Sequence, residues 1–207
     1  MSSVSILGLG TYARAIGTRG VEAGNAVEVI GRDPAKAKDL AAALGGGATA
    51  GTFGTVPAGD IVILAVPYAS AAQVVAQYGD ALAGKVIIDI SNTFTAADDT
   101  ELATPDGSSG AQEIAKAVPA SAHVVKAFNT VFAHVLAAGG PLDVFMAGDD
   151  AQAKASVSAF ITSLGLRSQD AGDLSMAHWL EGAGLLSVGL ARNGVGSLDF
   201  SLGVNLG

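Results

Sequence analysis

The chain has 207 residues, 50% of them hydrophobic and only 14% charged, which excludes an intrinsically disordered protein. Its net charge of -8 would repel a phosphate backbone and excludes non-specific nucleic-acid binding. Cysteine is absent, so disulfides, iron–sulfur clusters and thiol nucleophiles are excluded, and a reducing cytoplasm fits.

In chain order, the apolar run 4–7 predicts a first strand, broken by Gly8-Leu9-Gly10. A helix follows over 11–23, stopped by Gly24. Residues 27–30 predict a second strand. After the turn Gly31-Arg32-Asp33-Pro34, Asp33 should cap a helix over 35–44, with Pro34 in its first turn. The segment 60–66 is a continuous apolar run, as expected of a parallel strand covered on both faces. Pro67 ends it, and 70–78 predicts a helix. Residues 61–79 carry no charge, long enough for a membrane span, but Pro67, Ser70, Gln73 and Gln77 favour a buried strand, a break and a helix.

Another buried strand is expected at 85–90. Residues 91–110 read as a long loop of the kind that carries function. Beyond it come a helix at 111–118, strands at 123–127 and 142–147, and a helix capped by Asp149 or Asp150 that reaches Leu164. A short strand at 166–168, a long helix over 175–193 and an edge strand at 200–204 complete the pattern. Alternating strands and helices predict an α/β fold, a doubly wound, Rossmann-type, mostly parallel sheet with a small C-terminal helical and strand extension. Its ligand crevice should lie beyond the carboxyl ends of the strands.

Gly8-Leu9-Gly10-Thr11-Tyr12-Ala13 is a G-x-G-x-x-A run between a predicted strand and helix, the context that makes it a dinucleotide-binding loop. Gly8 permits the tight turn, Gly10 the approach of a pyrophosphate, and Ala13 close packing of helix on strand. The helix N-terminus supplies N–H groups and a positive dipole end. Residues 1–207 are then expected to form one domain, with a dinucleotide-binding core over 1–150. Residues 151–207 should complete the substrate cleft.

An NAD site wants a carboxylate at the end of the second strand. Glu28 sits two residues before that end, too deep to reach a ribose, while the tip carries Arg32, with Lys36 four residues on. A guanidinium and an ammonium suit the 2′-phosphate of NADP; the alternative is that both are solvated surface charges.

Several of these segments together resemble the coenzyme F420-dependent NADP oxidoreductase family. The matching pieces are Gly8 to Ala13, Gly31-Arg32 with Lys36, Ala65-Val66-Pro67, Asp89 with Asn92, Ser109-Gly110-Ala111-Gln112-Glu113, and Val125-Lys126-Ala127-Phe128-Asn129-Thr130. The resemblance reaches to about Leu186. It implies a homodimer or larger assembly, Thr11, Arg32 and Lys36 on the 2′-phosphate, and Ala65-Val66-Pro67 along the nicotinamide. It also implies a deazaflavin, coenzyme F420, stacked on the nicotinamide as co-substrate under C-terminal residues. The chain departs from the family pattern at Gly31, where Ser or Thr is usual. It departs also at Tyr68 (Trp), Thr93 (Pro) and Asp173 (Pro).

Hydride transfer needs two rings in contact with water excluded, and few acid–base groups. His134 should face the cleft and contact substrate beside Pro67 and Asn92; a surface or core histidine is the alternative. Asn129 and Thr130 either bond the carboxamide or shape a turn. His178 and Glu181 read as structural or as part of a dimer contact. So does the stripe of Met176, Trp179, Leu180, Ala183, Leu186 and Leu190. The histidines lack metal-ligand spacing, so no metal is expected. Small molecules are the expected partners, with no nucleic acid and no membrane. The rival readings are an NADPH-dependent reductase of an imine, ketone or quinone, as in the related pyrroline-5-carboxylate reductases, and a non-catalytic NADP sensor.

Overall fold

The computed structural model describes residues 1–95 and 101–205. Its centre is an eight-stranded sheet in the order β3-β2-β1-β4-β5-β6-β7-β8. The strands are β1 (Ser3–Leu7), β2 (Ala26–Gly31), β3 (Thr49–Thr52), β4 (Ile61–Leu64), β5 (Val86–Asp89), β6 (His123–Ala127), β7 (Asp143–Gly148) and β8 (Arg167–Asp170). All neighbours pair parallel except β6 and β7. The order reverses between β1 and β4, which opens the crevice of a doubly wound sheet at their carboxyl ends.

Side chains alternate between two helical layers, as the strand period requires. Val4, Ile6, Ile61, Ile63, Ile88 and Val125 point to the layer of α1 (Thr11–Glu22), α2 (Pro34–Leu44), α5 (Ala133–Ala138) and α6 (Ala151–Ser163). Leu7, Val62, Leu64, Ile87 and Val124 point to that of α3 (Tyr68–Tyr78), α4 (Gly110–Ala117) and α7 (Ala177–Leu190). Each such buried aliphatic side chain contributes about 1.5–3 kcal/mol relative to exposure.

Helix ends follow the sequence. Asp33 accepts from the backbone N–H groups of Ala35 and Lys36 with Pro34 opening α2, and Asp150 is the cap of α6, accepting from Ala153 N. Asp149 instead accepts from Leu174 N, holding the approach to α7. At the far end of α1, Arg19 donates to Leu136 O, Leu164 O and Gly140 O, satisfying carbonyls where α5 and α6 run out.

The uncharged stretch 61–79 divides into β4, a break at Pro67 and α3. Among the described residues no helix is long and apolar enough to cross a membrane. Of the expected loop 91–110, residues 96–100 lie outside the described residues. The remainder holds a bridge between Phe94 and Leu102, and Ser109 caps α4 through Gln112 N.

The expected edge strand at 200–204 is not formed, and β8 closes the sheet instead. The tail is held by side chains rather than by a ladder. Val204 N donates to Asp143 Oδ2, Phe200 packs edge-on against Phe132, and Leu198 O meets His134 Nε2.

Candidate functional site

The loop after β1 has the geometry its glycines predict. Gly8 has φ +129°, and a Cβ there would lie 2.1 Å from Ala65 O, so no side chain is possible. Gly10 precedes α1 with an ordinary φ of -81°, yet nothing lies within 4 Å of where its Cβ would be. The open space therefore sits beside a helix N-terminus. No side chain caps α1, and its first turn holds no acidic residue. Its free N–H groups and positive dipole end suit an anion. Ala13 is fully buried beneath this turn, and Tyr12 is anchored by a hydrogen bond from its hydroxyl to Val131 O (3.0 Å). Burial raises the Tyr12 pKa, so the hydroxyl stays a donor.

On one side of the loop a cleft of about 300 Å³ is lined by Leu9, Gly31, Arg32, Phe53, Val66 and Pro67 among others. Arg32 is exposed at its rim, its guanidinium carbon 5.5 Å from the Phe53 ring centre. Lys36 is exposed with its ammonium 3.9 Å from Asp33 Oδ2, a pair worth little in water. Glu28 is committed elsewhere: its carboxylate accepts from Ser5 Oγ and from Ala58 N. It lies within the sheet, as its position before the strand end predicted. At Gly31 a Cβ would come within 2.4 Å of Leu9 Cδ1, so the absent Ser or Thr side chain is replaced by the leucine.

On the other side a cleft of about 520 Å³ is bounded by Gly10, Thr11, Ala65 to Pro67, Tyr68, Asn92 and Phe94. Asn92 and Asn129 bond reciprocally: Asn92 Nδ2 donates to Asn129 O, and Asn129 Nδ2 donates to Asn92 Oδ1, both at 2.9 Å. Asn129 Nδ2 also donates to Leu180 O on α7. Phe128, fully buried, has φ +64°, a conformation that is costly for an aromatic residue and that turns the chain at the end of β6. Immediately after it, Asn129 Oδ1 and Thr130 Oγ1 are buried without a hydrogen-bond partner among the described residues. Buried polar atoms left unpaired call for a ligand or water.

The wall behind this cleft contains a buried charge cluster. Lys126 Nζ donates to Asp89 Oδ2 and Glu181 Oε1, both at 2.8 Å, and to Ser91 O. Glu181 Oε2 accepts from Thr93 Oγ1 and Gly110 N. Asp89 Oδ1 accepts from Ser91 N and Oγ. The cluster fastens β5, β6, α4 and α7 into one frame. Glu181 is therefore interior, not part of an exposed contact. The visible signal was a lysine at an inward position of the apolar strand Val124-Val125-Lys126-Ala127. Beside it, Tyr68 donates from its hydroxyl to Glu113 Oε2 at 2.6 Å, a pair that sequence patterning did not suggest. Burial, the hydrogen bond to Glu113 and the charges of Glu113, Glu181 and Asp89 push the Tyr68 pKa up to about 12.

His134 is not brought into this lining. α5 packs on α1 and turns His134 toward the tail, where its ring stacks on Phe132 and Nε2 lies 3.0 Å from Asp199 Oδ1. His178 Nδ1 lies 2.8 Å from Ser108 O, tying α7 to the loop before α4. Of the α7 stripe, Leu180 is buried, while Trp179, Leu186 and Leu190 are 66%, 57% and 37% exposed.

A doubly wound sheet with an uncapped, glycine-preceded helix at its switch point defines a dinucleotide-binding protein of the Rossmann class. Residues 3–93 match the family model described as NADP oxidoreductase, coenzyme F420-dependent. The resemblance read from the sequence is thus matched over residues 3–93, the first five strands and their helices.

Among curated relatives it is 33% identical over 183 residues to metalloreductase STEAP3 of Rattus norvegicus, covering 86% of this chain and 35% of that protein. It is 32% identical over 140 residues to the F420-dependent NADP reductase of Methanocaldococcus jannaschii, covering 64% of this chain and 62% of that protein. The chain thus spans less than two thirds of either relative. A solved structure from Arthrobacter sp. FB24, provisionally named an F420-dependent NADP reductase, superposes with a TM-score of 0.87 at 26% identity over 100% of both chains.

Proposed function

We propose that the protein transfers hydride between NADP(H) and the deazaflavin coenzyme F420. The observation that carries the nucleotide half is the uncapped N-terminus of α1 facing the empty space at Gly10, with Arg32 and Lys36 beyond the end of β2, where Glu28 is engaged by Ser5 and Ala58 and Asp33 caps α2. Gly8, Leu9, Gly10, Thr11, Tyr12 and Ala13 form the cradle for the pyrophosphate. Arg32 and Lys36 take the 2′-phosphate beside Gly31, with Thr11 turned to the same nucleotide. Ala65, Val66 and Pro67 edge the nicotinamide, and Asn129, itself buried with Thr130 behind the cleft, holds Asn92 at the cleft boundary. The acceptor ring lies between Pro67 and Asn92.

When bound, the nicotinamide supplies or takes two electrons and one hydrogen nucleus as hydride, and solvent balances the remaining proton. The protein contributes orientation and exclusion of water rather than a nucleophile. Support for the acceptor comes from the family model and from the F420-dependent relative. A second copy of the chain is the partner proposed for the exposed face of Trp179, Leu186 and Leu190.

The test is NADPH oxidation by purified protein with oxidised coenzyme F420, followed by bleaching of the deazaflavin's visible band. Bleaching far faster with NADPH than NADH supports the reading. Tight NADPH binding without bleaching shifts the acceptor to an imine, ketone or quinone, or makes the protein a sensor.

A further inference from the structure

Tyr68 opens α3 directly after Pro67, at the boundary of the larger cleft. Its ring lies against the start of α4. A Cβ on Gly110 would stand 3.0 Å from Tyr68 Cδ2 and 2.6 Å from Thr93 Cγ2, so the glycine admits the ring at this depth. One turn along α4, Glu113 accepts the phenolic proton.

A hydroxyl has one proton and two lone pairs. With the proton committed to Glu113, Tyr68 can offer a ligand only lone pairs. The surrounding charge has the same sense. Glu113, Glu181 and Asp89 all hold the phenol neutral, and the nearby cation, Lys126, is already engaged by Asp89, Glu181 and Ser91 O. A ligand edge that presents N–H is stabilised here; one that presents only carbonyl oxygens meets lone pairs.

We infer that the Tyr68–Glu113 pair is a specificity element for the hydride acceptor, recognising a ring edge that donates an N–H. This rests on the reading above and deepens it. The pyrimidinedione edge of a deazaflavin carries such an N–H, at N3, whereas a quinone or simple ketone carries none. Tyr68 selects by accepting from that edge, and Glu113 acts through Tyr68 as a positioning residue by holding the phenolic proton away from it.

The experiment starts from protein saturated with NADP+, a complex that cannot turn over with an oxidised acceptor. It is titrated with 5-deazariboflavin and with its N3-methyl analogue, followed by deazaflavin fluorescence. The wild-type protein should bind the N–H form about tenfold more tightly, the value of one hydrogen bond. Tyr68→Phe keeps the ring against Gly110 and should bind both ligands alike. Glu113→Ala frees the phenolic proton to turn toward the ligand and should reduce the preference, because the hydroxyl can then also donate to the carbonyl oxygens of the N3-methyl form. A preference that survives Tyr68→Phe overturns the inference. So does an absent preference in the wild type, or no deazaflavin binding to a protein that holds NADP+. Failure to hold NADP+ in the first step is a separate result, overturning the nucleotide reading on which the inference stands.

Discussion

Lys126 Nζ lies 2.8 Å from Glu181 Oε1, with both side chains wholly inside the protein. Asp89 completes the cluster at the same distance from Lys126, also fully buried. Removing the lysine leaves two carboxylates without their cation, and breaking a buried pair of this kind costs about 3–5 kcal/mol. Lys126→Met should therefore lower the urea midpoint severely. Glu181→Gln should cost clearly less, because Lys126 keeps Asp89 and an amide oxygen can still accept. Equal losses would mean that the pair with Asp89 contributes nothing.

Arg32→Ala tests the coenzyme. A charge-assisted bond to a 2′-phosphate is lost only with NADPH. Calorimetry should show NADPH binding weakened by about 1–3 kcal/mol and NADH binding nearly unchanged. Equal weakening would remove Arg32 from the 2′-phosphate.

The two glycines of the loop should separate folding from binding. Gly8→Ala places a methyl on Ala65 O in a positive-φ position, so thermal stability should fall by at least about 1–3 kcal/mol. Gly10→Ala meets no neighbour and needs no unusual backbone, so stability should stay within about 0.5 kcal/mol. Its methyl nevertheless enters the space reserved for the pyrophosphate, and NADPH affinity should drop at least about tenfold. An unaffected NADPH titration would show that the nucleotide does not lie there.

Asp143 gives a pH signature. Hydrogen bonds from Arg167 above all, then from Gln169 and Val204 N, hold its carboxyl down from the usual 3.8 to about 2 despite burial. The folded state thus binds fewer protons than the unfolded one. The stabilisation is present above pH 3.8 and is lost as pH falls toward about 2. Thermal melts across that window should decline, and Asp143→Asn should flatten the decline from an already lower start.

If α7 seats a second copy of the chain, a charge in its exposed stripe should prevent association. Trp179→Asp with Leu186→Asp should elute at the mass of one chain in light scattering, whereas the wild type should show two. Identical masses would leave this face without that partner.

Much of this site could be read in the residues because it depends on local backbone chemistry. The Gly8 turn, the Asp33 cap and the half-buried, engaged position of Glu28 each follow from a short segment and its neighbours. What escaped depends on tertiary partners. Thr49-Ala50-Gly51-Thr52 has no apolar rhythm and becomes β3 only by pairing with the edge of β2. Residues 200–204 have the composition of a strand, yet they find a carboxylate and an aromatic ring instead of a free edge. Glu181 looks solvent-facing on a helix until Lys126, distant in sequence, defines its surroundings. Tyr68 and Glu113 meet only because α3 and α4 pack side by side.

Arg19 adds a mechanical consequence. It sits about 12 Å along α1 from Thr11, at 1.5 Å per residue, and grips carbonyls from three other segments of the chain. At the opposite end, Ala13 is sealed in the core and Tyr12 is tied to Val131. The helix is thus a strut clamped at both ends, with the anion-facing tip projecting from it. An arriving nucleotide has little backbone to organise there, so its association is docking against a fixed edge rather than folding of a loop around a guest.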